Sequence, residues 1–254
     1  MNFLDTAYKK LVAINTALYL ILGLLYLCSV NLNFVMLPSS FGEAVFKPWT
    51  LVTYMFSHFA FLHLLFNMTW LFFFGRVLYE LCGKKHTVAA YVAAGLAGGI
   101  CFMAWGSMGQ SAEYLIGSSA AVLGLMTATV VVAPDYSLNL LFLGEVKIKW
   151  IYAFAVFILL ISSPQIFKLQ LTSTDIAHLA GIITGGIYGR LYNHPIIKPR
   201  RKKIVLTPRE NSPDVKTELD SLLDKVRRSG YSSLSEAEKM RMIEISKELQ
   251  KQQL

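Results

Sequence analysis

The sequence predicts an all-α membrane protein, a bundle of six apolar helices followed by a small soluble helical hairpin. The first support is composition: 54% of the 254 residues are hydrophobic and 16% charged, against ~25% charged in soluble domains. The second is the placement of charge. Residues 1–195 hold ten Lys/Arg and seven Asp/Glu, whereas residues 196–254 hold fourteen and nine in a much shorter stretch. The third is a series of apolar segments suited to a hydrocarbon core of ~30 Å. The chain therefore divides into a membrane body, residues 1–195, and a basic linker with a cytoplasmic helical tail, residues 196–254.

Residues 11–30 carry no charge, and twenty residues at ~1.5 Å each cross a bilayer. Residues 59–79 form the second segment, with His63 and Asn67 near its start. Residues 88–105 are rich in Ala and Gly, and residues 114–133 contain Ser118 and Ser119. Residues 149–161 are short and need flanking residues to span. Residues 176–192 carry His178 near their start. Between the first two segments, residues 31–58 carry Pro38, Pro48 and Trp49 and read as irregular chain at the membrane interface, where tryptophan is favoured.

Lys9, Lys10, Lys84, Lys85, Lys147, Lys149 and the run Arg200, Arg201, Lys202, Lys203 fall on alternate connections. The intervening ones hold Lys47 and Lys168 against Glu43, Glu113 and Asp175. By the positive-inside rule both termini are cytoplasmic. The first helix is expected to be retained, because no small-residue cleavage site precedes a soluble domain. The net charge of +8 resides mostly in the tail and short loops. Its basic residues flank apolar spans and do not interleave with aromatics, so nucleic acid is excluded as a partner. Cys28, Cys82 and Cys101 have neither disulfide nor metal spacing, and neither a metal nor another cofactor is expected.

On this topology the second, fourth and sixth helices enter from the outer side. His63 with Asn67, Ser119, and His178 then lie at a similar depth, in the outer part of the membrane. Polar side chains are costly there unless they pair or do chemistry. Gly181, Gly185 and Gly189 follow His178 on one helical face, where missing side chains admit a close neighbour. Gly117, Ala120, Ala121, Gly124 and Ala128 make the fourth segment a fitting partner, and their contact brings the serine patch to His178. Spacing alone does not choose between Ser118 and Ser119. His63 and Asn67, four apart, share a face, and both are able to donate to a developing oxyanion. His58, five residues before His63, is expected to point elsewhere. Arg76 and Glu80 read as an ion pair at the inner membrane edge.

The run Ser57-His58-Phe59-Ala60-Phe61-Leu62-His63-Leu64-Leu65-Phe66-Asn67-Met68, the Gly117-Ser118-Ser119 patch and His178 with its glycines resemble the rhomboid family of intramembrane serine proteases. The resemblance covers about residues 10–195. It implies Ser119 as nucleophile, His178 as its general base, and an oxyanion hole of His63, Asn67 and the Ser119 backbone N–H. It further implies transmembrane protein substrates cut near the outer face of a bacterial inner membrane. Three positions depart from the family pattern: Ala120 replaces a glycine, Leu123 an aromatic that supports the histidine ring, and Thr50 an arginine after Trp49. Two rivals compete. A catalytically inactive rhomboid-like protein that binds or sorts membrane helices is disfavoured by the joint presence of Ser119 and His178. A transporter is disfavoured because the spans lack paired carboxylates.

In the tail, residues 214–228 place Val215, Leu219, Leu222 and Val226 at helical intervals, and Gly230 stops that helix. Ser235 with Glu238 forms a capping box opening a second helix to about residue 249. The basic run at 200–203 suits anionic lipid headgroups. The sequence assigns the tail no partner.

Overall fold

The computed structural model describes residues 6–109, 114–140, 144–161, 171–193 and 215–251. The chain forms two compact units, Met1–Pro199 and Arg200–Leu254.

The first unit opens with α1, Ala7–Leu27. The connection that follows is short-range structure: β1 (Leu37–Pro38), α2 (Phe41–Phe46), α3 (Thr50–Thr53) and a 3₁₀ turn, Tyr54–Phe56. Next comes α4, Phe61–Gly106, a helical run broken at Gly83, whose φ of 81° and ψ of 177° are non-helical. A residue with a side chain adopts that φ rarely, so one glycine turns the chain between two arms, 61–82 and 84–106. The loop expected around Lys84 and Lys85 is thus a single-residue elbow, and both lysines are helical.

β2 (Tyr114–Leu115) pairs antiparallel with β1, Leu37 opposite Leu115. α5 spans Ser119–Val132 and so begins five residues later than the expected fourth segment. An antiparallel pair, β3 (Ser137–Leu140) and β4 (Gly144–Lys147), leads into α6 (Ile148–Ile161). α7 covers Ser173–Asn193. Among the described residues, Ala7–Leu27 and Phe61–Gly106 are long and apolar enough to cross a membrane, and Ser119–Val132 and Ile148–Ile161 are shorter apolar helices. By length alone, the six-span expectation is met in part.

The core lies where α5 is enclosed by α4 and α7. Tyr54, Leu71, Phe74, Tyr91, Phe102, Leu125 and Met126 are fully buried there. The seam between α5 and α7 is built of small residues, as the glycine face predicts. A Cβ on Gly181 would overlap the Ala120 backbone, and one on Gly185 the Gly124 backbone. Gly98 of the second α4 arm abuts Ala120 and Ala177, which precede or follow Ser119 and His178 by one residue. Three helices are thus drawn together at one level.

Charged groups stay at the ends. Arg76 Nε donates to Glu80 at 2.8 Å, the expected ion pair. Lys147 and Lys149 both reach Asp135, at 3.2 and 2.8 Å, and their hydrogen bonds hold its carboxyl below the usual range. At the start of α7, Thr172 N–H and Oγ1 both donate to Asp175, at 2.9 and 2.7 Å, and Asp175 N–H donates back to Thr172 Oγ1 at 3.1 Å. That is a reciprocal cap. Glu113, Lys168 and residues 200–203, used above for orientation and lipid contact, lie outside the described residues.

The second unit is a helical pair, α8 (Val215–Ser229) and α9 (Glu236–Lys251). Leu222, Leu234 and Ile245 form its buried centre, with Leu219, Val226 and Met242 packed around them. Gly230, at φ 80°, ends α8. Ser235 N–H donates to Glu238 at 2.8 Å and Glu238 N–H to Ser235 Oγ at 3.3 Å, the capping box read from the sequence. Glu218–Arg241 at 3.0 Å and Lys225–Glu238 at 2.7 Å join the two helices.

Candidate active site

The serine patch is set by a turn and a helix start. Gly117 has φ of 99°, and its N–H donates to Tyr54 O at 2.9 Å. A Cβ at this position would strike the His63 ring, so both the dihedral and the space require glycine. Ser118 is the N-cap of α5, and its carbonyl accepts from Val122 N–H at 2.8 Å. Ser119 is therefore the first helical residue. The N–H groups of a first turn have no intrahelical acceptor, and the helix dipole makes that end favourable to an anion.

His178 lies in the second turn of α7. Its Nε2 is 2.7 Å from Ser119 Oγ, a contact fixed by the glycine seam one turn below. The pair faces a cavity of about 510 Å³, also lined by His63, Asn67, Phe66, Trp70, Met126 and Phe154. Ser119, His178 and His63 are half-buried, whereas Asn67 is only 6% exposed. Asn67 Nδ2 donates to His63 O at 2.8 Å; its amide carries a second hydrogen. All four predicted site residues thus line one cavity, whose remaining wall is apolar. Such a wall excludes water and strengthens any charge interaction inside it. Among the described residues no three His, Cys, Asp or Glu side chains gather as metal ligands.

The three departures have plain settings. Ala120 is buried against Gly98 and Gly181. Leu123 lines the cavity; one turn further, Thr127 Oγ1 bonds both Leu123 O and Tyr152 OH at 2.8 Å. Trp49 Nε1 donates to Phe34 O at 2.8 Å, and Thr50 Oγ1 to Lys47 O at 2.6 Å.

His58 corrects the sequence reading. Counting helical spacing back from His63 turns it away, but the helix starts only at Phe61, after an extended Ala60 at φ −105° and ψ 129°. The chain ahead of it folds back, and His58 is 1% exposed, against the serine patch. Its Nε2 accepts from Ser118 N–H at 3.3 Å and lies 3.2 Å from Ser118 Oγ. Its ring meets His63 edge-on, centroids 5.2 Å apart. Neither glycine nor proline marks the break after His58, so nothing in residues 57–63 signals it.

Fold and site together define a helical membrane protein that encloses a serine–histidine pair in an apolar cavity. Residues 45–194 match the family profile described as "Rhomboid domain", and the chain belongs to the rhomboid family. Residues 210–248 match a second profile, "Family of unknown function (DUF6576)". Among curated proteins, the chain is similar to the "Presenilin-associated rhomboid-like protein, mitochondrial" of Rattus norvegicus and of Mus musculus. Each is 27% identical over 168 residues, which cover 65% of this chain and 42% of the relative. The Bos taurus protein of that name matches over the same shares. The chain thus spans less than half the length of these relatives.

Proposed function

We propose that the chain is an intramembrane serine endopeptidase that cleaves transmembrane substrates near the outer membrane face through a Ser119–His178 dyad. The observation that carries this reading is the 2.7 Å approach of Ser119 Oγ to His178 Nε2 at a cavity shared with His63 and Asn67. With the His178 proton on Nδ1, Nε2 takes the hydroxyl proton as Oγ attacks the scissile carbonyl. The same nitrogen then delivers that proton to the leaving amine, and water attacks the acyl-enzyme by the reverse route.

Negative charge develops on the carbonyl oxygen at the start of α5. The Ser119 N–H, the His63 ring and the second Asn67 amide hydrogen act there as the oxyanion donors. No metal or cofactor takes part. In this reading α1, the two arms of α4, α5, α6 and α7 cross a bacterial inner membrane with both termini cytoplasmic. α5, with 14 residues, is only about 21 Å long. It is thus shorter than a ~30 Å hydrocarbon core, in keeping with a serine that starts its helix inside the membrane.

A fluorophosphonate probe on the purified protein, followed by mass spectrometry, tests the assignment. The expected product is a single adduct on Ser119, lost in Ser119→Ala. An adduct on Ser118 would overturn the choice of nucleophile. A well-folded protein that neither labels nor cleaves favours the inactive, helix-binding alternative.

A further inference from the structure

The mechanism above leaves one buried cluster unused. Behind Ser119 stands a second serine–histidine contact, Ser118 with His58, at 3.2 Å between Oγ and Nε2. Ser118 is 0% and His58 1% exposed, and neither lines the cavity that holds Ser119 and His178. No substrate carbonyl reaches a hydroxyl so enclosed, so the pair is not a second catalytic dyad. The same ring nitrogen has a second contact, to the main chain. The Ser118 backbone N–H donates to His58 Nε2 at 3.3 Å. A ring nitrogen that accepts from an amide is the unprotonated one, which places the proton of neutral His58 on Nδ1.

His58 also touches the other side of the site. Its ring packs edge-on against His63, and His63 fills the space that a side chain at Gly117 would need. The turn at 117–118 is therefore held from three directions: by Tyr54 O on Gly117 N–H, by the His63 ring, and by His58 on Ser118 N–H. Ser119 is the next residue, and its Oγ lies 2.7 Å from His178 Nε2. Resting on the proposed protease activity, we infer that His58 is a positioning residue. It clamps the Ser118 N–H, and through the turn it sets the direction of the nucleophile and of the Ser119 N–H. Because the clamp acts on the main chain, the Ser118 hydroxyl is secondary to it.

The test uses the full-length protein in detergent micelles, as wild type, His58→Ala, His58→Gln and Ser118→Ala. A misplacement of about 1 Å costs up to ~10²-fold in rate. His58→Ala is therefore expected to lower kcat about 10- to 100-fold, with KM within about twofold. Phosphonylation of Ser119 should slow in parallel. Glutamine presents an amide oxygen near the position of Nε2, so His58→Gln should recover most of the rate. Ser118→Ala keeps the N–H and should lose only a few-fold. Should His58→Ala not fold, His58→Asn, which occupies the site without reaching the Ser118 N–H, is expected to show the same loss.

The ¹⁵N shift of His178 supplies a readout that needs no turnover. It should move in His58→Ala and return in His58→Gln, because it reports the contact with Ser119. A wild-type protein that neither cleaves nor labels would refute the protease reading, and this shift would still decide on positioning. An unmoved His178 resonance with wild-type kcat in His58→Ala would overturn the inference. So would a Gln variant as impaired as Ala with an equally lowered melting temperature.

Discussion

Two serine–histidine contacts stand side by side at the start of α5, and only one of them faces the cavity lined by His63 and Asn67. Ser119–His178 is the shorter, 2.7 Å, between half-buried side chains from two helices. Ser118–His58 is longer, 3.2 Å, and sealed. The residue types and their contacts are alike, so what separates a reacting pair from a supporting one is access. A hydroxyl next to an imidazole does chemistry only where a carbonyl is able to reach it. In the sealed pair the imidazole holds the main chain.

The comparison breaks most sharply at the nucleophile. Ser119→Ala and His178→Ala are each expected to lower cleavage of a model transmembrane substrate by ~10⁴-fold or more, with melting temperatures close to wild type. Equal losses from Ser118→Ala would erase the distinction between the pairs. Next comes Asn67→Ala. Losing one oxyanion donor costs ~10²–10³ in kcat, so kcat should fall by that factor with KM little changed. His63→Ala should behave similarly. A normal kcat with a raised KM would move Asn67 from the transition state to substrate binding.

The seam sharpens the comparison at smaller scale. A Cβ on Gly185 would overlap the Gly124 backbone, which has no flexible end to yield, whereas one on Gly186 would rest 3.7 Å from Thr127 Cγ2. Gly185→Ala is expected to destabilise the protein by about 1–3 kcal/mol and to slow cleavage by parting Ser119 from His178. Gly186→Ala should do neither. Thermal unfolding and kcat of the two variants decide this.

The smallest effect belongs to the tail. Deleting residues 205–254 should leave both pairs in place and cleavage of a simple substrate within about threefold, since compact units fold on their own cores. Within the tail, the Lys225 contact and the Ser235 cap hold the Glu238 carboxyl down at about 2. Its folded pKa lies below the ordinary value of 4.5. The linked stability is therefore present above about pH 4.5 and lost as pH falls through about 2. A ¹³C titration of the full chain should show that depressed midpoint, and Lys225→Ala should raise it.

Much of this was legible in the sequence, for identifiable reasons. Apolar segments, the glycine face of α7, the Arg76–Glu80 pair and the Ser235–Glu238 capping box are features of one helix or its end, and periodicity reports such features directly. Gly181, Gly185 and Gly189 even named the packing partner, because α5 offered the matching small residues. Three features escaped. The elbow at Gly83 needs only one residue with positive φ, whereas Lys84 and Lys85 suggest a loop. The β3–β4 pair lies between apolar segments with little to mark it beyond Gly144 at φ 69°. His58 lies in a chain that folds back before the helix begins, where counting by helical turns has no meaning. Each is a reversal of chain direction, which spacing along one element does not encode.

The seam between α5 and α7 has a further consequence, in the temperature dependence of the site. Glycine and alanine have no rotamers to freeze, so bringing these two helices together at Gly181 and Gly185 costs little side-chain entropy. The separation of the two main chains that carry Ser119 and His178 is then set by backbone contact at Gly181 and Gly185 and not by a population of side-chain conformers. Warming or cooling redistributes rotamers in the Leu- and Phe-rich faces of the bundle, and the separation of α5 from α7 stays the same.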